Sequence, residues 1–454
     1  MKIADVLNIS NAKLICGNIE DSLDNFSKDT RVIHKGDTYV AFTGENFDGN
    51  VFFEDAFSKG AKTCILSKLE NIEDVKKKYV DKNIILVDDT IEFIMAIATK
   101  KRENIHVPVI AVTGSVGKTS TKNLIASVLE QKYKVLKTQG NLNTKIGLSF
   151  TLLNYQDEEC IVLEMGMNHL GEISLLSNIA KPSVAVITNI GTSHIGNLGS
   201  RENILKAKLE ILYGLTGPIL INNDNDLLYT WAKSHPEYSI ITFGIDQESD
   251  YQARDIEYSK DGTTFTLKNQ KYQIPVYGKA FIYNSLVSYI IGRMLDVSDK
   301  EINFAYQNQV AEEHRMSKIL KDGFCILDDT YNSSYDSVAL ALDVLKSFST
   351  RKIAVLGDIL ELGDFSKKIH QDIGKLVFNS GIDLLVTVGE DSKYIHEEAI
   401  KQGLNKNNCF HFTTNEEAII FLKRAITKGD TLLIKASHAM NFSQIVDELK
   451  TLEF

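Results

Sequence analysis

The sequence lacks any apolar run long enough to span a membrane, and its first residues do not have the layout of a signal peptide. Its 5 cysteines are scattered without a C-x-x-C pair, and Cys160 and Cys325 lie inside apolar runs. We therefore expect buried free thiols in the reducing cytoplasm. The chain also has no excess of positive charge: its formal net charge is −10. This argues against a nucleic-acid-binding protein and leaves open a local basic groove for an anionic metabolite.

The chain is too long for one hydrophobic core, since it has 454 residues, of which 43% are hydrophobic and 24% charged. We expect an α/β protein of three domains, with limits near 1–105, 106–314 and 315–454. Short apolar runs predict strands at Thr38–Phe42, Thr63–Leu66, Ile84–Val87, Val109–Val112, Ile161–Leu163, Val184–Ile187 and Ile219–Ile221.

Helical patterns lie between the strands of the middle block, which indicates a largely parallel, doubly wound sheet. The stretch from Tyr251 to Tyr277 alternates in the manner of antiparallel strands. After His314, the segments FCILDD, KIAVLGD, LLVTVGE and TLLIKAS predict a second Rossmann-like domain.

The most informative segment is VPVIAVTGSVGKTSTKNLI, at residues 107–125. A strand, a glycine turn, a lysine, a hydroxyl residue and a helix are how proteins hold a nucleotide triphosphate. Glycines let backbone N–H groups approach phosphate oxygens, Lys118 adds charge, and the Thr119 hydroxyl is suited to Mg²⁺. The spacing departs from the usual P-loop, because Val112 stands where a glycine is usual. A chance glycine turn is the alternative.

Polar residues also follow the next strands of the middle block. Glu164 comes directly after IVL, and His194 ends the NIGTSH segment after VAVIT. In open α/β sheets ligands bind beyond the carboxyl ends of the strands, where a carboxylate beside a phosphate loop suits Mg²⁺. A helix cap and an ordinary loop histidine are the structural alternatives. Lys208 lies in an amphipathic segment, and its spacing alone does not distinguish it from a solvated lysine.

The combination of motifs resembles the Mur ligases, the ATP-dependent amide ligases of peptidoglycan precursor synthesis. The resemblance covers nearly the whole chain and rests on TGSVGKTSTK, LEMGMNHLGEI, TNIGTSHIGNLGSRENILKAKLEI, DDTYNSSYDS and LGDILELGDFS. The segment DTRVIHKGDTYVAFTGENFDGNVFFEDAFSKGA is similar to the UDP-substrate domain of the MurE and MurF types. TQGNLNTKIGLSFTLL and ELGDFSKKIH are similar to the MurF type.

The resemblance implies an enzyme that joins D-alanyl-D-alanine to UDP-N-acetylmuramoyl-tripeptide through an acyl phosphate. It implies ATP and two Mg²⁺ ions, with Lys208 carbamylated, and catalytic roles for Lys118, Glu164, His194 and Lys208. The metal ligands would be Thr119, Glu164, His194 and Lys208. The ATP-binding residues would be Thr113, Gly114, Ser115, Val116, Gly117, Lys118, Thr119, Asn284, Arg315 and Asp329. Asp328 would line the nucleotide side of the third domain with Asp329. Residues near the UDP-muramoyl substrate would be Thr30, Arg31, Asn141 and Asn143. We expect a monomer.

The third block departs from the MurF pattern. Ser334 and Tyr335 replace the usual Asn-Pro after the paired aspartates, His438 replaces an arginine, and Ser443 stands where a glutamate is expected. The usual histidine before Asn284 is also missing. An arginine is a permanent bidentate donor, whereas a histidine is mostly neutral at pH 7. The sequence thus leaves three alternatives open: drift at tolerant positions, a ligase with another amine acceptor such as D-Ala-D-Ser, and a nucleotide-binding protein without ligase activity.

Overall fold

The protein is described by a computed structural model that covers residues 1–259, 262–309, 312–321 and 323–453. Three mainly parallel sheets follow one another along the chain, and helices pack against them. The α/β class predicted from the sequence is therefore confirmed. Short 3₁₀ helices lie at Ile3–Asp5, Thr30–Val32, Gly49–Phe52, Glu210–Tyr213, Gly363–Phe365, Lys406–Asn408 and His438–Met440.

The first sheet has five strands in the order β1-β7-β6-β3-β2, and β1 is antiparallel to its neighbour. A two-stranded hairpin, β4-β5, lies beside it. The strands are β1 (Lys13–Cys16), β2 (Phe26–Ser27), β3 (Thr38–Val40), β4 (Thr43–Gly44), β5 (Phe47–Asp48), β6 (Thr63–Leu66) and β7 (Asn83–Leu86). The helices are α1 (Phe53–Ser58), α2 (Ile72–Lys78) and α3 (Thr90–Glu103).

The second sheet has seven strands, all parallel, in the order β14-β13-β12-β11-β8-β10-β9. Its strands are β8 (Val109–Thr113), β9 (Val135–Lys137), β10 (Cys160–Glu164), β11 (Val184–Ile187), β12 (Ile219–Asn222), β13 (Ile240–Gly244) and β14 (Tyr251–Gln252). Its helices are α4 (Lys118–Leu129), α5 (Lys145–Leu153), α6 (Glu172–Ala180), α7 (Ile195–Leu198), α8 (Arg201–Leu209), α9 (Asp226–Ser234), α10 (Lys279–Met294) and α11 (Asp299–Gln307).

Both faces of this sheet are buried, which explains why its strands are continuously apolar. Ile110 and Val112 pack in one core with residues of α4 and α10, whereas Val109 and Ala111 pack in another core with residues of α5 and α6. Successive side chains of a strand point to opposite faces, so one apolar run supplies both cores. The helices on both faces confirm the doubly wound arrangement expected from the sequence.

A small antiparallel sheet and a third large sheet complete the fold. The small sheet comprises β15 (Arg254–Ser259), β16 (Gly262–Leu267) and β17 (Gln270–Ile274). The third sheet has the order β18-β19-β23-β20-β21-β22. Its strands are β18 (Ser317–Lys321), β19 (Phe324–Asp328), β20 (Lys352–Gly357), β21 (Leu384–Val388), β22 (Cys409–Phe412) and β23 (Thr431–Lys435). Its helices are α12 (Tyr335–Lys346), α13 (Ser366–Asn379), α14 (Lys393–Gln402), α15 (Asn415–Ala425) and α16 (Ser443–Leu449).

Most predicted strands are present within two residues of their expected limits. The prediction was incomplete in two places. Tyr251 belongs to β14, which is parallel to β13 rather than antiparallel, and β18 adds an antiparallel edge to the third sheet. The domain limits near 105 and 314 stay predictions. All 5 cysteines are free, and all but Cys16 are buried. Among the described residues, we find no helix with the length and apolarity needed to cross a membrane.

Candidate active site

A cavity of about 760 Å³ lies where the central sheet faces the third sheet. It collects side chains that are far apart in sequence, because the carboxyl ends of parallel strands meet at one sheet edge. The predicted site residues that line it are Ser115, Val116, Gly117, Lys118, Thr119, Asn143, Glu164, His194, Lys208, Asn284, Arg315 and Asp329.

Other predicted residues do not line this cavity. Thr113 is fully buried and its hydroxyl donates to the Met165 carbonyl. In the first block, Arg31 is exposed and pairs with Asp29 at 2.6 Å. The residues predicted from the sequence that do not line the cavity are Thr30, Arg31, Thr113, Gly114, Asn141 and Asp328. Their predicted roles remain predictions.

Two positions of the glycine turn after β8 have a positive φ, a backbone conformation that favours glycine. Gly117 has a φ of +84° and precedes α4, and Gly114 has a φ of +150°. A Cβ at Gly114 would overlap the Thr188 hydroxyl. The turn is further fixed by Asn189, whose side-chain oxygen accepts from the N–H groups of Ser115 (3.1 Å) and Val116 (2.9 Å). Asn189 was not singled out from the sequence.

Lys118 is the first residue of α4, and the first turn of this helix lines the cavity, at the end where backbone N–H groups have no partner within the helix. Its ammonium donates to the Gly114 carbonyl at 2.9 Å, so the side chain curls over the turn. Burial lowers the Lys118 pKa, and the nearby Glu164 carboxylate acts in the opposite direction. A buried cation beside a helix N-terminus is a favourable environment for phosphate oxygens.

Glu164 ends β10 and is 2% exposed. One carboxylate oxygen accepts from the Asn143 amide at 2.8 Å, and the other is buried without a hydrogen-bond partner among the described residues. A buried carboxylate oxygen without a donor is costly unless a cation meets it. This orphaned oxygen, beside the Thr119 hydroxyl at the same cavity, fits a Mg²⁺ ligand set, because Mg²⁺ prefers oxygen donors and retains phosphate or water ligands.

No cluster of three His, Cys, Asp or Glu side chains suited to a metal is found in the described part of the chain. A divalent ion at the cavity therefore requires other donors, such as a hydroxyl, a phosphate or a modified lysine. Lys208 is 2% exposed, and its pKa lies well below the ordinary value, first because of burial and second because of the Lys118 charge. A low pKa favours the neutral amine, which is the form that reacts with CO₂ to give a carbamate.

Several polar contacts join the third domain to the central domain, among them a hydrogen bond from the Gly196 N–H to the Glu361 carbonyl at 3.2 Å. Glu361 lies 2.9 Å from Nδ1 of His194, and burial followed by the Lys118 charge lowers the His194 pKa. Asp336, in the first turn of α12, accepts from the backbone N–H (2.7 Å) and hydroxyl (3.0 Å) of Thr192. These contacts bring the NIGTSH segment against the third sheet. Neither partner carboxylate was identified from the sequence.

Arg315 makes a further contact across the cavity. Its guanidinium donates to the Thr119 hydroxyl at 3.1 Å, lies 3.8 Å above the Tyr331 ring and pairs with Glu312 at 2.9 Å. On the same wall, Asp329 accepts from the buried Lys435 ammonium at 2.6 Å. Arg315, Asp329 and Thr119 were predicted as site residues from the sequence, whereas Glu312 and Lys435 were not.

Of three residues that depart from the MurF pattern, Ser334 lines the cavity, whereas His438 and Ser443 do not. Ser334 caps α12, since its hydroxyl accepts from the Ser337 N–H, and a serine is as good a cap as the asparagine it replaces. The His438 ring packs 5.7 Å from the Tyr331 ring. Ser443 begins α16 and donates to the Asn441 side chain. Asn284 lines the cavity, and its side-chain oxygen accepts from the Thr121 hydroxyl at 2.8 Å.

Family models match the two domains that form this cavity. The Mur ligase middle domain matches residues 112–292, and the Mur ligase glutamate ligase domain matches residues 314–438. The chain belongs to the Mur ligase family. The UDP-N-acetylmuramoyl-tripeptide–D-alanyl-D-alanine ligase of Bacillus subtilis is 36% identical over 93% of this chain and 92% of that protein. The Escherichia coli enzyme of the same name is 30% identical over 99% and 98%.

Solved structures of Mur ligases agree with this assignment. A crystal structure of MurF from Acinetobacter baumannii has a TM-score of 0.88, with 27% identity and 99% coverage of both chains. MurF from Thermotoga maritima in complex with ADP has a TM-score of 0.81, with 28% identity over 94% of this chain and 97% of that one. The three-domain Mur ligase architecture and the MurF type expected from the sequence are confirmed.

Proposed function

We propose that this Mur ligase uses ATP to join D-alanyl-D-alanine to UDP-N-acetylmuramoyl-tripeptide in the cytoplasm, acting as a monomer. The observation that carries the proposal is the convergence of a phosphate loop, an orphaned carboxylate oxygen and a buried lysine at one interdomain cavity. The high coverage of MurF relatives supports the same substrates. We also propose the domain limits 1–105, 106–314 and 315–454.

The chemistry needs an activated carboxyl group, because hydroxide is a poor leaving group. The tripeptide carboxylate attacks the γ-phosphorus of ATP, ADP leaves, and an acyl phosphate forms. The amine of the dipeptide then attacks the acyl carbon, phosphate leaves with the bonding pair, and the amine loses a proton. Lys118 and the N-terminus of α4, which line the cavity, would hold phosphate oxygens through both steps.

Other residues of the chain would support this chemistry by binding and orientation. Thr119, Glu164, His194 and a carbamylated Lys208 would hold two Mg²⁺ ions, which when bound neutralise the anionic oxygens of the transferring phosphoryl group. Arg315 would extend from the third domain towards the nucleotide. Asn284 would bind adenine, and Asp329 would line the nucleotide side of the third domain. Closure of that domain over the cavity would exclude water, which otherwise hydrolyses the acyl phosphate.

We propose the remaining substrate contacts by resemblance. Thr30, Arg31, Asn141 and Asn143 would bind the UDP-muramoyl substrate, and Asn143 also holds the Glu164 carboxylate. Thr113, Gly114, Ser115, Val116 and Gly117 would complete the nucleotide site. In this arrangement the amide of Asn143 links the UDP-substrate side of the cavity to the predicted metal ligand.

A second candidate function is ligation of a different amine acceptor. The observation that favours it is the placement of His438 against Tyr331, beside the wall that holds Arg315 and Asp329. An arginine at 438 would add a permanent charge there, and histidine does not. The middle-domain machinery would be unchanged in such an enzyme.

An acceptor screen tests both functions. The purified protein is incubated with ATP, Mg²⁺ and UDP-N-acetylmuramoyl-tripeptide, together with D-Ala-D-Ala, D-Ala-D-Ser, D-Ala-D-lactate or a diamino acid. Phosphate release and the mass of the product are then measured. Preference for D-Ala-D-Ala supports the first proposal, preference for another acceptor supports the second, and tight ATP binding without any amide product contradicts both.

A further inference from the structure

Lys122 is a buried cation that the proposed mechanism does not use. It lies on α4 one turn after Lys118 and is 1% exposed. Residues four apart on a helix lie on the same face, so Lys118 and Lys122 share one face of α4. A lysine is almost never fully buried unless its ammonium has a partner, so we expect a partner for Lys122 inside the protein.

The partner is the backbone of the segment that carries the predicted substrate residues. The Lys122 ammonium donates to the Thr138 carbonyl at 2.6 Å, at the point where β9 ends. Residues 138–143, which we call the substrate loop, begin at this carbonyl and include Asn141 and Asn143. The bond therefore ties the phosphate-loop helix to the first residue of the substrate loop.

The substrate loop is in turn tied to Glu164. The Glu164 N–H donates to the Thr138 hydroxyl at 3.0 Å, and the Thr138 N–H donates to the Val162 carbonyl at 3.0 Å. At the other end of the loop, the Asn143 amide donates to the Glu164 carboxylate at 2.8 Å. Both ends of the loop are thus fixed to the end of β10, and Lys122 fixes the same junction to α4.

We infer that Lys122 is a positioning residue that sets the spacing between the phosphate loop and the substrate loop. It is not among the residues that line the cavity, and it acts through Thr138 on Asn143 and Glu164. Charge agrees with this geometry: burial lowers the Lys122 pKa, whereas Glu164 and then Glu312 act to raise it. The inference rests on the proposed ligase function for its substrates.

Replacement of Lys122 by methionine tests the role. Lys122→Met keeps most of the side-chain volume and removes the donor to Thr138. We expect the KM for the UDP-muramoyl substrate to rise about 10-fold or more, because a charged hydrogen bond is lost at the substrate loop. The KM for ATP should change less than about 3-fold. Lys122→Arg should recover part of the loss, since a guanidinium also donates to a carbonyl.

Lys101 offers a matched control. Its ammonium donates to the carbonyls of Leu153 and Tyr155 at 2.6 Å each, and burial lowers its pKa, but it lies outside the cavity. Lys101→Met should lower thermal stability without changing the KM for either substrate. Should it raise the KM for the UDP-muramoyl substrate as much as Lys122→Met does, the effect would be general destabilisation and the inference would be wrong.

A milder variant covers the case in which Lys122→Met fails to fold. Thr138→Val removes only the hydroxyl that accepts from the Glu164 N–H and leaves the carbonyl in place. We expect it to raise the KM for the UDP-muramoyl substrate several-fold with an unchanged KM for ATP. An unchanged KM for the UDP-muramoyl substrate in Thr138→Val, or equal changes for both substrates in Lys122→Met, overturns the inference.

Binding measurements separate this inference from the proposed function. If the wild-type protein forms no amide, the proposed function fails, but its affinity for UDP-N-acetylmuramoyl-tripeptide is still measurable by calorimetry. Weaker binding of that substrate by Lys122→Met than by Lys101→Met, with equal affinity for a non-hydrolysable ATP analogue, supports the positioning role. Equal affinity of both variants for the UDP-muramoyl substrate contradicts it.

Discussion

Glu164→Gln should lower activity strongly while changing the free energy of unfolding only slightly. The substitution keeps the shape and the acceptor for the Asn143 amide, which lies 2.8 Å away. It removes the attraction of the carboxylate for Lys118 and Lys122, and it also removes the desolvation cost of the unpaired oxygen. Because these effects oppose each other, we expect the free energy of unfolding to change by less than about 1 kcal/mol.

Activity should respond very differently. A neutral amide is a poor ligand for a hard cation, so phosphate release should fall by about 100-fold or more. The assay is dipeptide-dependent phosphate release at saturating ATP, and it is combined with the melting temperature of the central domain. Because about 1 kcal/mol shifts the melting temperature by roughly 2–4 °C in a domain of this size, the shift should stay below about 4 °C.

Glu210 provides the control for this prediction. It is also a buried glutamate of the middle domain, but both of its oxygens are occupied, by the N–H groups of Gly171 (2.7 Å) and Ser174 (3.1 Å) at the start of α6. Glu210→Gln leaves one N–H without an acceptor, so we expect a loss of about 1.5–3 kcal/mol with activity retained at 25 °C. The reasoning is refuted if Glu164→Gln keeps full activity, or if it destabilises the domain as much as Glu210→Gln does.

Three further substitutions extend the test of the site. Lys118→Ala should abolish phosphate release while calorimetry still detects UDP-substrate binding, and a loss of both would indicate misfolding. In CO₂-free buffer, Lys208→Met should remove part of the pH dependence of the free energy of unfolding. Folding lowers the pKa of Lys208, so the unfolded state binds more protons than the folded state between that lowered pKa and 10.5. Wild-type stability should therefore rise with pH there by up to about 1.4 kcal/mol per unit, as measured by urea unfolding, and Lys208→Met should lack that contribution. His438→Arg should increase kcat/KM for D-Ala-D-Ala if histidine limits acceptor use, and an unchanged value would make this departure irrelevant.

The pH and activity tests of Lys208 have separate controls. Lys208→Ala should lose turnover, and added short-chain carboxylic acids should restore part of it where bicarbonate does not, because only the acids supply a free carboxylate. Full turnover in Lys208→Ala would remove this lysine from the site. If the free energy of unfolding changes with pH equally in the wild type and in Lys208→Met, the pKa of Lys208 is the same in the folded and unfolded states and the reasoning is wrong.

The amino-acid sequence by itself determined the architecture and the phosphate-loop edge of the cavity. The runs at β8, β10 and β11 are apolar on both faces and end in Thr113, Glu164 and Ile187, so their loops had to meet at one edge of a parallel sheet. Glycines at 114 and 117, followed by Lys118, carried the local geometry of the phosphate loop. The strands and the glycine turn depend on short segments of the chain, so hydrophobic periodicity and residue spacing are enough to predict them.

Only the tertiary structure decided which groups are paired and which are left without a partner. Glu361 is 167 residues away from His194, and Asn189 is 73 or more away from the loop residues that it holds. Thr138 is 26 residues away from Glu164, and Lys122 reaches Thr138 through a backbone carbonyl, which no side-chain pattern reveals. The orphaned oxygen of Glu164 is likewise a property of packing. Hydrogen bonds act over about 3 Å, so their existence depends on how separate helices and loops come to rest against one another rather than on the order of residues along the chain.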